Sequence, residues 1–153
     1  MRLLTIFRPR HCHAGWTLLE LMIGLALIAI LTSLSYPSLQ SFILRLHRGD
    51  ALATLAQVQL QQQRYRSNRP NFATLNELGI ALTTSNGRYQ LQDHAAPTAV
   101  GFFVLASALG RQAADQPCTH LLLEVTGAQT RTASGNDAEV TNGESANLRC
   151  WGR

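Results

Sequence analysis

The sequence predicts an α+β protein, with one long N-terminal helix packed on a C-terminal antiparallel sheet of about four strands. Three observations carry that prediction. The 21-residue run 16–36 is apolar except for one acid, Glu20, and a helix of that length spans roughly 30 Å, about one hydrocarbon core. Helical spacing resumes after Pro37 at Leu39, Phe42, Ile43 and Leu46. Beyond Pro70 the texture changes to short β-like runs separated by turn residues.

Composition bounds the remaining choices. The chain has 153 residues, enough for one domain, and only 14% of them are charged. With mean hydropathy near zero, a disordered, charge-rich chain is excluded. A single run long enough to cross a bilayer excludes a multi-span membrane protein, and no long fixed period points to a solenoid. The formal charge of +4 is misleading. All 13 basic residues are arginine, and Arg2, Arg8 and Arg10 lie in the first ten positions. Without them ten arginines face nine acids, so overall charge gives little support to nucleic-acid binding. Of three cysteines, Cys12 lies in the same leader; its removal leaves Cys118 and Cys150, which can pair.

The elements follow in order. Residues 1–15 form a short basic leader, 16–36 a hydrophobic transmembrane or core helix, 37–69 an amphipathic continuation and 70–153 a globular β-sheet region. Pro37 lacks a backbone donor and is expected to kink the helix. Ala, Leu and Gln sustain it through 51–63, and Pro70 disfavours helix at Arg69. The expected helix, about 16 to 68, is on the order of 80 Å long. No soluble domain of this size buries all of it, so its first half needs lipid or other helices while its second half covers one face of a sheet. Residues 72–80 read as a loop or short helical turn, and Asn86-Gly87 as a tight turn. The β-like runs are 88–92, 100–109 and 120–126, with 110–117 and Gly127-Ala128 separating or closing them. Residues 134–147, rich in Ser, Gly, Asn, Asp and Glu, read as a surface loop, and a last segment, 148–151, carries Cys150.

Glu20 matters most for function. A carboxylate inside a spanning helix costs about 2.5–3.5 kcal/mol on insertion scales, so either it reaches the headgroups from the helix end or a positive partner neutralises it in an assembled state. The residues around it favour the second reading. Gly15-Trp16-Thr17-Leu18-Leu19-Glu20, after an arginine-rich leader and opening the apolar run, resembles the type IV prepilin motif. Pro37 falls where that family often has a proline. Arg64-Tyr65-Arg66-Ser67-Asn68, then Phe72, Leu75 and Leu78-Gly79, look like the segment after the long helix in PilE-type minor pilins, and Asp115-x-x-Cys118 with Cys150-Trp151 look like that group's C-terminal disulfide region.

The resemblance implies a type IV pilin fold and a structural role. A membrane peptidase would cut between Gly15 and Trp16, the new Trp16 nitrogen would be methylated, and Cys118 and Cys150 would be joined. In a filament, Glu20 of one subunit would face the Trp16 ammonium of a neighbour. Neither charge is stable alone in hydrocarbon, so their pairing selects one axial stagger, and contacts that do not close a ring build a helical filament. The partners implied are other pilin subunits, the prepilin peptidase and, before assembly, the bacterial inner membrane; the destination is a surface pilus serving motility, adhesion or DNA uptake. No cofactor is implied.

Other readings rank lower. A type II secretion pseudopilin shares the N-terminal motif but is less often closed by a C-terminal disulfide. A conventional signal peptide has a shorter apolar core without an acid. His11-Cys12-His13 are too close in sequence to close a tetrahedral metal site, and no catalytic triad, phosphate loop or zinc spacing marks an enzyme. Arg45, Arg48, Arg64, Arg66 and Arg69, with Tyr65 among them, face one acid, Asp50. Arg64, Arg66 and Arg69 are the candidate DNA contacts, though a solvated helix face or charge matching between subunits accounts for so sparse a patch more simply. Processing is directly checkable: intact-mass analysis of membrane or pilus fractions should give a chain starting at Trp16 with one added methyl group, and a retained leader or a start at Tyr36 would remove the pilin reading.

Overall fold

The computed structural model describes residues 17–152. Its long helix, α1, spans Leu18–Arg66, close to the 16–68 expected. Thr17 sits just outside the helix, and its Oγ1 accepts the backbone N–H of Glu20 at 3.2 Å. That bond satisfies one of the donors left open at a helix start. The helical backbone runs on through residue 37. The chain forms two compact units, Met1–Ser38 and Leu39–Arg153. In the first, the large apolar side chains of α1 from Leu18 to Leu34 stand exposed.

The second unit has its own core. Four strands, β1 (Tyr89–Ala95), β2 (Gly101–Ala108), β3 (His120–Thr126) and β4 (Gln129–Gly135), form an antiparallel sheet in sequence order. Directly opposed pairs share a face. Phe102 opposes Val125, Val104 opposes Leu123, and Ala106 opposes Leu121. All six are buried in one cluster with Tyr89 and Leu91 of β1. Ala51, Leu55 and Val58 of α1 complete that cluster, at the i, i+4, i+7 spacing that places three side chains on one helix face. Gly101 is required where β2 starts, because a Cβ there would lie 2.3 Å from the Val125 carbonyl oxygen. Gly127, at φ +60°, opens the two-residue turn joining β3 to β4.

Two expectations need correction. The fourth strand is Gln129–Gly135, a stretch with no large apolar side chain. The region expected to be loop over 134–147 contains the end of β4 and most of a short helix, α2 (Glu144–Cys150). Cys118 and Cys150 are joined in a disulfide with Cα atoms 5.4 Å apart, across 32 residues of sequence, and a loop of that length gives roughly 3–4 kcal/mol in the chain-entropy model. It encloses two strands of the sheet as well as the charge-rich loop.

Both sheet edges are covered in part. On the open side of β4, the Asn147 side-chain amide donates to the Thr132 carbonyl at 2.7 Å and the Asn142 N–H donates to the Ser134 carbonyl at 3.0 Å, while the Trp151 indole N–H donates to the Ala133 carbonyl at 3.0 Å. Thr141 bridges Ser134 on the same edge. At the other edge, the Leu91 N–H donates to the Leu82 carbonyl at 2.8 Å and the Thr84 N–H to the Tyr89 carbonyl at 2.9 Å.

A buried polar network fastens the helix to the loop before the disulfide. Arg48 and Asp115 are 7% and 6% exposed. The guanidinium meets the carboxylate twice, Nε to Oδ2 at 2.8 Å and Nη2 to Oδ1 at 2.6 Å. Its remaining nitrogen donates to the Arg149 carbonyl at 3.1 Å. Gln112, on the 3₁₀ turn Gly110–Ala114, donates from Nε2 to the Leu44 carbonyl, the Tyr89 hydroxyl oxygen and Asp115. Burial, reinforced by the Asp115 charge, pushes the Tyr89 phenol up to about 12, so it stays neutral in this network. Removing one member of a buried ion pair leaves an uncompensated charge. Asp115→Ala is expected to cost about 3 kcal/mol or more of stability, while the paired replacement Arg48→Met with Asp115→Leu should recover most of it. Chemical denaturation of the two variants checks this, and an Asp115→Ala protein of wild-type stability would show that the pair does not hold the helix.

Candidate functional site

Gly15 and Trp16, the expected processing site, lie outside the described residues, as does the His11-Cys12-His13 cluster. Glu20 lies in the first turn of α1. Thr17-Leu18-Leu19-Glu20 also has the Thr-x-x-Glu spacing of a capping box, a local signal of where the helix starts. Around it Leu18, Leu19, Leu21 and Met22 are all exposed, an apolar surface of far greater extent than a monomer leaves to water. An exposed apolar helix carrying one acid therefore requires lipid or neighbouring helices for cover. Pro37 lies within the helical stretch.

The structure divides the basic stretch into three groups. Arg48 is consumed by Asp115 and is not part of any surface patch. Arg66 is half-buried: its guanidinium lies 4.8 Å over the Phe72 ring and donates to the Ala99 carbonyl, which ties the end of α1 to the loop between β1 and β2. Arg64 and Arg69 are exposed. The Arg69 guanidinium lies 4.2 Å over the half-buried Tyr65 ring, a cation–π contact that leaves N–H donors for an anion.

Beside them lies a groove of about 440 Å³ lined by Tyr65, Arg69, Phe72, Thr74, Glu77 and Pro97, among others. Phe72 packs against Phe102 of β2 with ring centroids 5.2 Å apart, so the groove wall is continuous with the core. Hydrogen bonds from the Thr74 N–H and hydroxyl hold the Glu77 carboxyl below the usual carboxylate range, with a smaller contribution from Arg69. The groove is thus of mixed charge, with Glu77 and the accessible Arg69 both in its lining.

Comparison with known families decides the class. The family model described as type IV minor pilin ComP, DNA uptake sequence receptor, matches residues 37–122, more than half of the chain. The chain belongs to this family of type IV minor pilins. A second model, the prokaryotic N-terminal methylation motif, matches residues 10–36. No curated protein matches the chain. The minor pilin is thus a structural, membrane-anchored subunit that is processed by a peptidase and assembles into a surface pilus, and its long helix and four-stranded sheet are the pilin fold.

What sequence reasoning missed is the sorting of the arginines. Arg48 and Asp115 are 67 residues apart, and nothing local marks them as partners. One signal was present: Arg48 falls three residues before Ala51 and seven before Leu55, on the face that the apolar spacing itself directs inward.

Proposed function

We propose that this minor pilin, anchored in the bacterial inner membrane before assembly and carried in the pilus afterwards, is a receptor for double-stranded DNA, with Arg64 and Arg69 as phosphate contacts. The observation that carries the reading is the family match, whose description is that of a DNA uptake sequence receptor and whose span takes in the end of α1 and the groove beside it. The sequence alone ranked nucleic acid below a solvated helix face; the family match reverses that order. It also favours the pilus over a type II secretion system. Arg66 serves as a positioning residue, because its guanidinium lies over Phe72 and donates to the Ala99 carbonyl.

The test uses the mature chain in detergent with duplex DNA. Binding should weaken steeply with salt, and Arg64→Gln with Arg69→Gln should reduce the slope of log K against log salt by about 2, close to 0.9 for each phosphate no longer neutralised. No salt-dependent binding, or a slope unchanged in the double variant, removes the proposal.

For assembly, we propose that Trp16, freed by cleavage after Gly15 and methylated, pairs through its ammonium with Glu20 of an adjacent subunit. The exposed apolar helix supports this, since filament packing would desolvate both charges. Glu20→Leu should insert into the membrane at least as well as the wild type and be depleted from sheared pili. Incorporation at the wild-type level would exclude the pairing for this subunit.

A further inference from the structure

A second basic site lies at the other end of the globular unit's helix. Arg45 and Arg149 are exposed, and among the described residues neither has an ion pair. Both line a pocket of about 350 Å³ together with Leu44, Pro117 and the buried Arg48 and Asp115. The pocket floor is electrically settled. Asp115 Oδ1 is taken by Arg48, and Oδ2 by Arg48 and Gln112, so the floor offers an arriving anion little repulsion. The two rim arginines supply uncompensated positive charge. Their backbones are fixed: Arg45 is on α1, and the Arg149 carbonyl is held by Arg48 at 3.1 Å one residue before the disulfide-bonded Cys150. A small cavity with a neutral floor and two anchored guanidinium groups at its rim suits a phosphodiester anion.

Position separates this pocket from the proposed DNA site. Arg45 and Arg64 are 19 helical residues apart, roughly 29 Å along α1. Arg45 follows Tyr36, the last residue of the apolar run, by nine residues of sequence, whereas Arg64 and Arg69 follow it by 28 and 33. A phosphodiester close to the end of a membrane-embedded segment is a lipid headgroup.

We infer that the pocket rimmed by Arg45 and Arg149 binds the phosphate of an anionic phospholipid headgroup while the minor pilin is still in the membrane. The inference rests on the membrane-anchored reading and goes beyond it, because the anchor alone requires only apolar contact. The bound headgroup would dock the globular unit on the bilayer surface, and extraction of the subunit into a filament would empty the pocket.

The experiment uses the full mature chain in nanodiscs of phosphatidylcholine, with or without phosphatidylglycerol, and follows amide hydrogen exchange over residues 144–152. Phosphatidylglycerol should slow exchange in this segment by roughly 25-fold, at about fivefold for each of the two arginines near an anionic surface. Arg45→Gln with Arg149→Gln should abolish the slowing, and Arg64→Gln with Arg69→Gln should leave it intact. Equal exchange in the two bilayers, or slowing that survives the first double variant, overturns the inference. Slowing produced by duplex DNA in phosphatidylcholine discs, and not by phosphatidylglycerol, overturns it too and assigns the pocket to nucleic acid. A chain that enters neither bilayer overturns the membrane anchor, and the inference with it.

Discussion

The Arg48–Asp115 ion pair is the constraint on which the globular unit's organisation turns. A helix covering a sheet through Ala51, Leu55 and Val58 is free to slide, because apolar contacts are non-directional. The bidentate pair removes that freedom. It fixes α1 against the 3₁₀ turn and, through the Arg149 and Cys150 carbonyls, against the C-terminal segment. Covalent and polar constraints meet there: Asp115 lies three residues before Cys118, and Arg149 one before Cys150. Whatever binds either end of the helix acts on a frame held by a buried charge pair, which is costly to break and therefore unforgiving of a second arrangement.

This arrangement assigns different work to arginines that look alike in sequence. Arg48 is structural, Arg66 braces a loop, Arg64 and Arg69 present donors at one end of the helix, and Arg45 presents them at the other. The absence of lysine accords with these uses. A planar fork can pair bidentately with a carboxylate or stack on a ring while still donating in its plane, and a lysine ammonium can do neither.

Much of the fold was legible because its signals are local. The apolar run and the Ala/Leu/Gln stretch define α1 to within two residues at each end, and 120–126 reads as a strand because HLLLEVT is dense in Leu and Val. The pair of cysteines was legible from the count once the leader is set aside. β4 was not, because QTRTASG has no large apolar residue and owes its strand state to the turn at Gly127 and to pairing with β3. α2 was hidden for a related reason. Its composition reads as loop, and it is held by contacts distant in sequence: the disulfide, Asn147 on Thr132 and Ser134, and Trp151 on Ala133. The basic patch was half legible. Spacing showed the arginines as a group, but which of them are spent internally depends on Asp115, Phe72 and Ala99, which are brought near only by the fold.

The covered sheet edges have a consequence for how such a subunit can polymerise at all. Beside other copies of the same chain, an open strand edge would template strand-to-strand addition. Here the Asn147 side chain and the Asn142 N–H occupy the Thr132 and Ser134 carbonyls, which a foreign strand would need, and the 82–84 segment occupies the Tyr89–Leu91 part of the opposite edge. Growth by backbone pairing, the route to amyloid-like fibres, is opposed on both sides. Among the described residues, the extended apolar surface left exposed is that of α1 from Leu18 to Leu34, so the surface that asks for a neighbour is a helix and not a strand edge.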